Sequence, residues 1–172
     1  MDIQTHKYID NLTQLIVDKY KVNIPIIDIC DVVRSIGGDI SEQIVGLDDG
    51  IVMRNGNGFQ IIRPTLQDEM KKKFFVAHDL GHLFLHMGYM ISNNIWEKQS
   101  SSECRIFKSV EQEYQANKFA LCFLMPQNQF IKELNANKKK DNSVEVAKLA
   151  DYFNVSFSTA FERMNSLYFL RK

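Results

Sequence analysis

Cysteine is scarce in this chain, and an excess of either charge is absent. The three cysteines, Cys30, Cys104 and Cys122, are odd in number and lack CxxC spacing. A disulfide framework is therefore not expected; they read as buried small hydrophobes in a reducing, cytoplasmic setting. Twenty-one basic residues are matched by 21 acidic ones, for a formal net charge of +0. No global field is left to draw in nucleic acid or an anionic membrane surface. Long hydrophobic runs are also missing. The longest, Phe119 to Met125, is far short of the roughly 18 to 20 residues that cross a bilayer. The opening MDIQTHKYID is polar, so neither export nor membrane anchoring is expected. There is no internal repeat and no low-complexity segment, which argues against a solenoid or a disordered linker. What is present is ordinary globular material: 172 residues, 45% hydrophobic and 24% charged, enough for a real core.

Periodicity orders most of the chain. Ile9, Leu12, Leu15, Ile16 and Tyr20 recur at helical spacing over Ile3 to Tyr20. A second helix follows Pro25, with Ile26, Ile27, Ile29, Val32, Val33 and Ile36 on its apolar face, and Gly37-Gly38 stops it. Ile40 to Val45 and Gly50 to Arg54 are β-compatible, and Asn55-Gly56-Asn57-Gly58 is a reverse turn leading into Phe59 to Arg63. Helical spacing resumes from about Gln67 to Met87, before Gly88. The stretch Tyr89 to Ile106 is left unordered, with an exposed loop at Glu97 to Glu103. Helices are expected at Val110 to Leu124, from Pro126 to Leu134, at Val144 to Phe153 and at Ser158 to Leu167. The fold class is α+β, with residues 1–140 as the main domain and 141–172 as a helical subdomain.

Three of the four histidines fall in FFVAHDLGHLFLH. His78 and His82 are four residues apart, so on a helix they share a face and both imidazoles reach one metal ion. This is the metal-binding half of an HExxH arrangement, with Asp79 where that arrangement has its general-base glutamate. A lone histidine on an apolar helix is usually packed; the paired spacing, the carboxylate between and Gly81 favour a metal. His86, one turn on, reads as a supporting or packing residue, because one straight helix does not easily wrap three successive turns around an ion. The third ligand is expected from EQEYQANKFALCFLMP, which offers Glu111 and Glu113. Glu113 is the better placed, since Ala116, Asn117 and Ala120 give its helix a face of small residues for close packing, though spacing alone does not decide it.

The succession VAHDLGHLFLH, EYQANKFALCFLMP and LADYFNVSFSTAFERMNSL resembles the ImmA/IrrE-type metallopeptidases, whose pattern is AHELGHxxxH followed by ExxANxFAxxLLMP. Pro25, Gly37 and the strands before Arg63 follow that family's order upstream. The resemblance implies a zincin-like, gluzincin-type domain with His78, His82 and Glu113 as zinc ligands. Asp79 would be the catalytic residue, and His86 and Asn117 would support the ligands. It also implies a cytoplasmic anti-repressor whose protein partner is a helix-turn-helix transcriptional repressor. Three departures stand out: Asp79 for glutamate, Phe75 for a small polar residue and Gln115 for a glutamate. The shorter Asp79 draws the carboxylate back by about 1 Å, which can cost around a hundredfold in rate. The same ligand set accepts manganese, cobalt or iron as well as zinc.

The strand ending at Arg63 is expected to be a sheet edge, either one that takes an extended substrate or a plain edge. The last two helices have a helix-turn-helix rhythm, yet seven basic against four acidic residues from Lys138 to Lys172 leave only +3. Duplex DNA binding is not expected, and a packing or repressor-docking role is favoured. Nothing in the sequence sets an oligomeric state. The leading reading is a zinc peptidase acting on a regulatory protein. The rivals are a zinc-binding or metal-free regulator that sequesters a repressor without cutting it, and a DNA-binding regulator with a structural metal.

Overall fold

A computed structural model describes residues 2–43, 50–65, 68–99, 109–139 and 143–169. Helix α1 (Ile3–Lys19) is capped by Asp2, whose carboxylate accepts the Thr5 amide at 2.8 Å. This satisfies one of the N–H groups a helix start leaves without a partner. Its buried face is centred on Ile9, Thr13, Ile16 and Val17; Leu15, read from the sequence as part of that face, is exposed. Helix α2 (Ile29–Ile36) begins four residues after Pro25, because Asp28 supplies its cap by accepting the Cys30 amide at 2.7 Å; Ile26 and Ile27, expected on its apolar face, precede it, and Ile27 is exposed. It ends at Gly37 with φ 101, a left-handed conformation that glycine adopts without a steric cost.

The sheet has three strands, β1 (Gly38–Gln43), β2 (Ile51–Asn55) and β3 (Gly58–Pro64), in the order β1-β3-β2. β1 runs parallel to β3, with Ile40 opposite Ile61; β2 is antiparallel, with Val52 opposite Ile61 across the Asn55 to Gly58 turn. β3 is therefore the central strand, and the expectation that it forms the substrate edge is wrong. Its backbone groups are already paired on both sides. Ile44 and Val45, also expected in a strand, lie outside the described residues.

Asp68 caps α3 (Glu69–Leu85) by accepting the Met70 and Lys71 amides. Gly88, at φ +76, follows its end. A short helix, α4 (Asn93–Trp96), lies in the stretch that periodicity left unordered; Cys104 and the rest of 100–108 lie outside the described residues. Helices α5 (Val110–Leu124), α6 (Gln127–Ala136), α7 (Val146–Phe153) and α8 (Phe157–Phe169) complete the chain. The α7–α8 turn uses Asn154 in a left-handed conformation, and Ser156 Oγ accepts the Thr159 amide at 3.1 Å. The domain boundary expected at 140/141 lies outside the described residues.

The chain divides into two compact units, Asp28–Ala120 and Met1–Ile27 with Leu121–Lys172. In the first, Phe59, Ile61, Val76, Leu80, Leu83 and Phe84 are buried. Phe84 stacks on Phe119 at 5.8 Å, and Tyr89 donates its hydroxyl to the Ile36 carbonyl at 2.9 Å. In the second, Phe130 stacks on Phe153 at 5.7 Å. That unit also holds a fully buried cation, Arg163, at 0% exposure. Its guanidinium donates to Asp10 Oδ1 at 2.8 Å, to the Met125 carbonyl at 3.0 Å and to Cys122 Sγ at 3.2 Å. Arg163 is one of the seven basic residues counted from Lys138 to Lys172, and its guanidinium is committed to these internal partners. Among the described residues no helix is long and apolar enough to cross a membrane.

Candidate metal centre

The centre is built from α3 and α5 within the Asp28–Ala120 unit. Gly81 allows the two helices to meet: a Cβ there would lie 2.9 Å from Ala116 Cα and 3.0 Å from Phe119 Cβ. Filling that space pushes backbone against backbone. Gly81→Val is expected to lower stability by about 1–3 kcal/mol. A urea titration checks this, with a lower midpoint at unchanged slope.

Across this contact, His78 and His82 from α3 and Glu113 from α5 bring their ligand atoms within 4.8 Å of one another. The two Nε2 atoms are 3.0 Å apart, and Glu113 reaches them at 3.2 and 3.3 Å through separate oxygens. Two nitrogens bound at about 2.0–2.1 Å to one tetrahedral ion lie about 3.3–3.4 Å apart, so the spacing is close to that of a ligand set. Proton placement agrees. His78 Nδ1 is 2.9 Å from Asn117 Oδ1, an acceptor, so that nitrogen donates and Nε2 presents its lone pair to the centre. His82 Nδ1 meets His86 Nδ1 at 3.0 Å, and His86 Nε2 meets Gln115 Oε1 at 3.0 Å. Burial, reinforced by His78, His86 and Arg63, pushes the His82 imidazole down to about 3. It is neutral at physiological pH, the form a metal needs. Two lone pairs and a carboxylate converging on one point call for a cation, and the donor set suits a divalent metal.

Asp79 has a different environment. It is buried, and its Oδ2 accepts from Arg63 Nε. Arg63 also donates to the Phe75 carbonyl at 2.8 Å and lies 4.9 Å from the centre of the Phe75 ring. Gly50 abuts the pair, since a Cβ there would come within 2.8 Å of both Arg63 Cζ and Asp79 Oδ2. Burial raises the Asp79 pKa against the opposing pull of Arg63.

The structure thus brings His78, His82 and Glu113 together, sets Asn117 on His78 and His86 on His82, and ties Asp79 to Arg63. Sequence reasoning missed Arg63 and Gln115. Arg63 carried a signal, because alternation along β3 puts it on the same buried face as Phe59 and Ile61. Gln115 and Phe75 were noticed only as unusual residues; the first accepts from His86 and the second carries the Arg63 cation.

Among curated proteins, no sequence matches this chain. A solved structure titled "Mycobacterium tuberculosis transcriptional regulator" is similar at 15% sequence identity with a TM-score of 0.57. The match covers 90% of this chain but 45% of that one, so this chain spans less than half of that neighbour. At that identity the likeness concerns the fold. The family Peptidase M78, described as the IrrE N-terminal-like domain, matches residues 55–165, a span that holds the histidine pair, Glu113 and both groups that support the histidines. The chain belongs to that IrrE N-terminal-like, Peptidase M78 family.

Proposed function

We propose that this protein is a zinc-dependent peptidase with a zincin-like centre that cleaves a regulatory protein in the cytoplasm. A helix-turn-helix transcriptional repressor is the expected substrate. The observation that carries the reading is the convergence of His78, His82 and Glu113 from two helices, with Asp79 beside the first ligand. Zinc held there would supply Lewis-acid polarisation of the scissile carbonyl and activation of water. The chain's own part is to orient and to move a proton. Asn117 and His86 hold the two imidazoles in register, and Asp79 takes the proton of the attacking water and passes it to the leaving amine. With β3 internal, the strand-addition edge passes to β2, the outer strand that packs against α3. The helix-turn-helix-like α7–α8 pair is assigned to repressor docking. Family membership and the regulatory title of the structural neighbour support this setting.

One observation favours a second reading. A carboxylate one methylene short and engaged by Arg63 is poorly placed to serve as a base, which fits a zinc-binding regulator that sequesters the repressor without cutting it. The two separate by experiment. Zinc-loaded protein is added to a lysate of its own cells and the newly formed N-termini are enriched and sequenced. The peptidase reading expects new termini in a helix-turn-helix repressor, absent with His82→Ala and reduced at least a hundredfold with Asp79→Asn. Repressor retained on the protein with no zinc-dependent terminus is the outcome of sequestration; neither cleavage nor retention removes both readings.

A further inference from the structure

We infer that Gln115 and His86 form a directional hydrogen-bond relay that fixes the proton of His82, making both of them positioning residues for the metal centre although neither is a ligand. The inference rests on the metal-binding half of the function proposed above and is independent of whether peptide bonds are cut.

The direction can be read from the outside inward. Glu111, on the exposed side of α5, is a carboxylate and only accepts. Gln115 Nε2 donates to Glu111 Oε1 at 3.4 Å, a long and solvent-exposed link that contributes orientation more than energy. With the amide nitrogen turned outward, Gln115 Oε1 faces inward, 3.0 Å from His86 Nε2. A carbonyl oxygen only accepts, so His86 Nε2 carries the hydrogen. A neutral imidazole has one N–H, so His86 Nδ1 is an acceptor. The atom 3.0 Å from it is His82 Nδ1, which must therefore donate. That leaves the lone pair of His82 on Nε2, the atom 3.0 Å from His78 Nε2 and 3.3 Å from Glu113. Each link dictates the next, and a glutamine on a second helix ends by setting the tautomer of a residue on the first.

An isolated histidine prefers its hydrogen on Nε2, the opposite of what ligation through Nε2 requires. The relay holds His82 in the less favoured form before any ion arrives. His78 reaches the same state through one bond to Asn117, so the two ligands are prepared by separate devices. Partners of this kind typically change metal affinity by about 10–100-fold when removed.

The test compares wild type with Gln115→Leu, which removes the acceptor at a half-buried position, and with Gln115→Glu, which keeps it. His86→Phe is the more invasive companion. Zinc affinity is measured by competition with a chromophoric chelator, and the His82 tautomer is read in the metal-free protein from long-range ¹H–¹⁵N spectra at mildly alkaline pH. The expected result is an Nδ1–H His82 in wild type and in Gln115→Glu, an Nε2–H His82 in Gln115→Leu, and zinc binding about 10–100-fold weaker in Gln115→Leu and His86→Phe. An Nε2–H His82 in wild type, or a folded Gln115→Leu that binds zinc as tightly as wild type, overturns the relay. A wild type that binds no zinc overturns the metal reading instead. The two failures are distinguishable because the tautomer is read without metal.

Discussion

His82→Ala protein is expected to purify without metal, whereas wild type prepared beside it carries about one divalent ion per chain. The loss is predicted to be complete because the site has few ligands. His78 and Glu113 remain, but each holds its place relative to an Nε2 atom that is gone. Glu113→Gln is expected to behave in the same way, since the amide brings no charge to offset that of the cation. Asp79→Asn is expected to keep its metal, because the Asp79 carboxylate is engaged by Arg63 and is not part of the converging set. Elemental analysis reads the stoichiometry directly. Thermal unfolding gives a second reading through linkage: an ion present at 1,000 times its Kd stabilises the folded state by about 4.1 kcal/mol. A chelator should therefore lower the wild-type Tm and leave His82→Ala unmoved. Wild type that carries no metal and ignores chelator would remove the centre, and with it the peptidase reading.

Arg163→Met should be among the most destabilising single substitutions in the chain. The side chain is fully buried and its partner Asp10 is 8% exposed. Removing the guanidinium takes from the buried Asp10 carboxylate the cation that donates to it at 2.8 Å, and it also strips the Met125 carbonyl of a donor. Breaking one side of a buried pair costs about 3–5 kcal/mol. For a chain of this size that is a fall in Tm of roughly 6–20 °C. The reciprocal test is the double variant Asp10→Leu with Arg163→Met. Replacing both charges by apolar groups removes the buried carboxylate together with its cation, so the double variant should be more stable than Arg163→Met alone. Equal losses in the single and double variants would show that the cost lies in packing rather than in the buried carboxylate. The same burial bears on nucleic-acid binding. A cation that holds a unit together is not available to a phosphate, so the low positive charge of the C-terminal helices falls further short of what a duplex requires.

Local features were legible in the sequence and came out close to expectation. The Gly37 stop, the turn at Asn55 to Gly58, the helix carrying the histidines and the helix carrying Glu113 each depend on a few neighbouring residues. The shift of the α2 start from Pro25 to Ile29 is also a local matter: Asp28 is a better cap than the turn before it, and the expectation put too much weight on proline. The pairing of His78 with His82 could be seen because four residues bring a helix nearly back to the same direction. Glu113 could be preferred to Glu111 from the small residues that follow it, but spacing alone could not tell a ligand from a solvated glutamate.

What the sequence could not carry is any relation across elements that lack a shared period. Alternation in β3 shows that Arg63 points inward, but not that Asp79 waits there; strand order has no trace in alternation at all, which is why β3 was taken for an edge. Gln115 looked like an odd residue on a helix until His86 was placed 3.0 Å from it. Arg163 entered only as one of the basic residues in the charge count from Lys138 to Lys172, and only the tertiary packing brings Asp10 to it from the far end of the chain. By itself the sequence determined the longer helices, the turns and the shared face of His78 and His82, because these follow from backbone geometry over a few residues. The tertiary structure alone decided which charges and protons meet, because a buried polar group is settled by whichever partner the fold delivers, however distant in the chain.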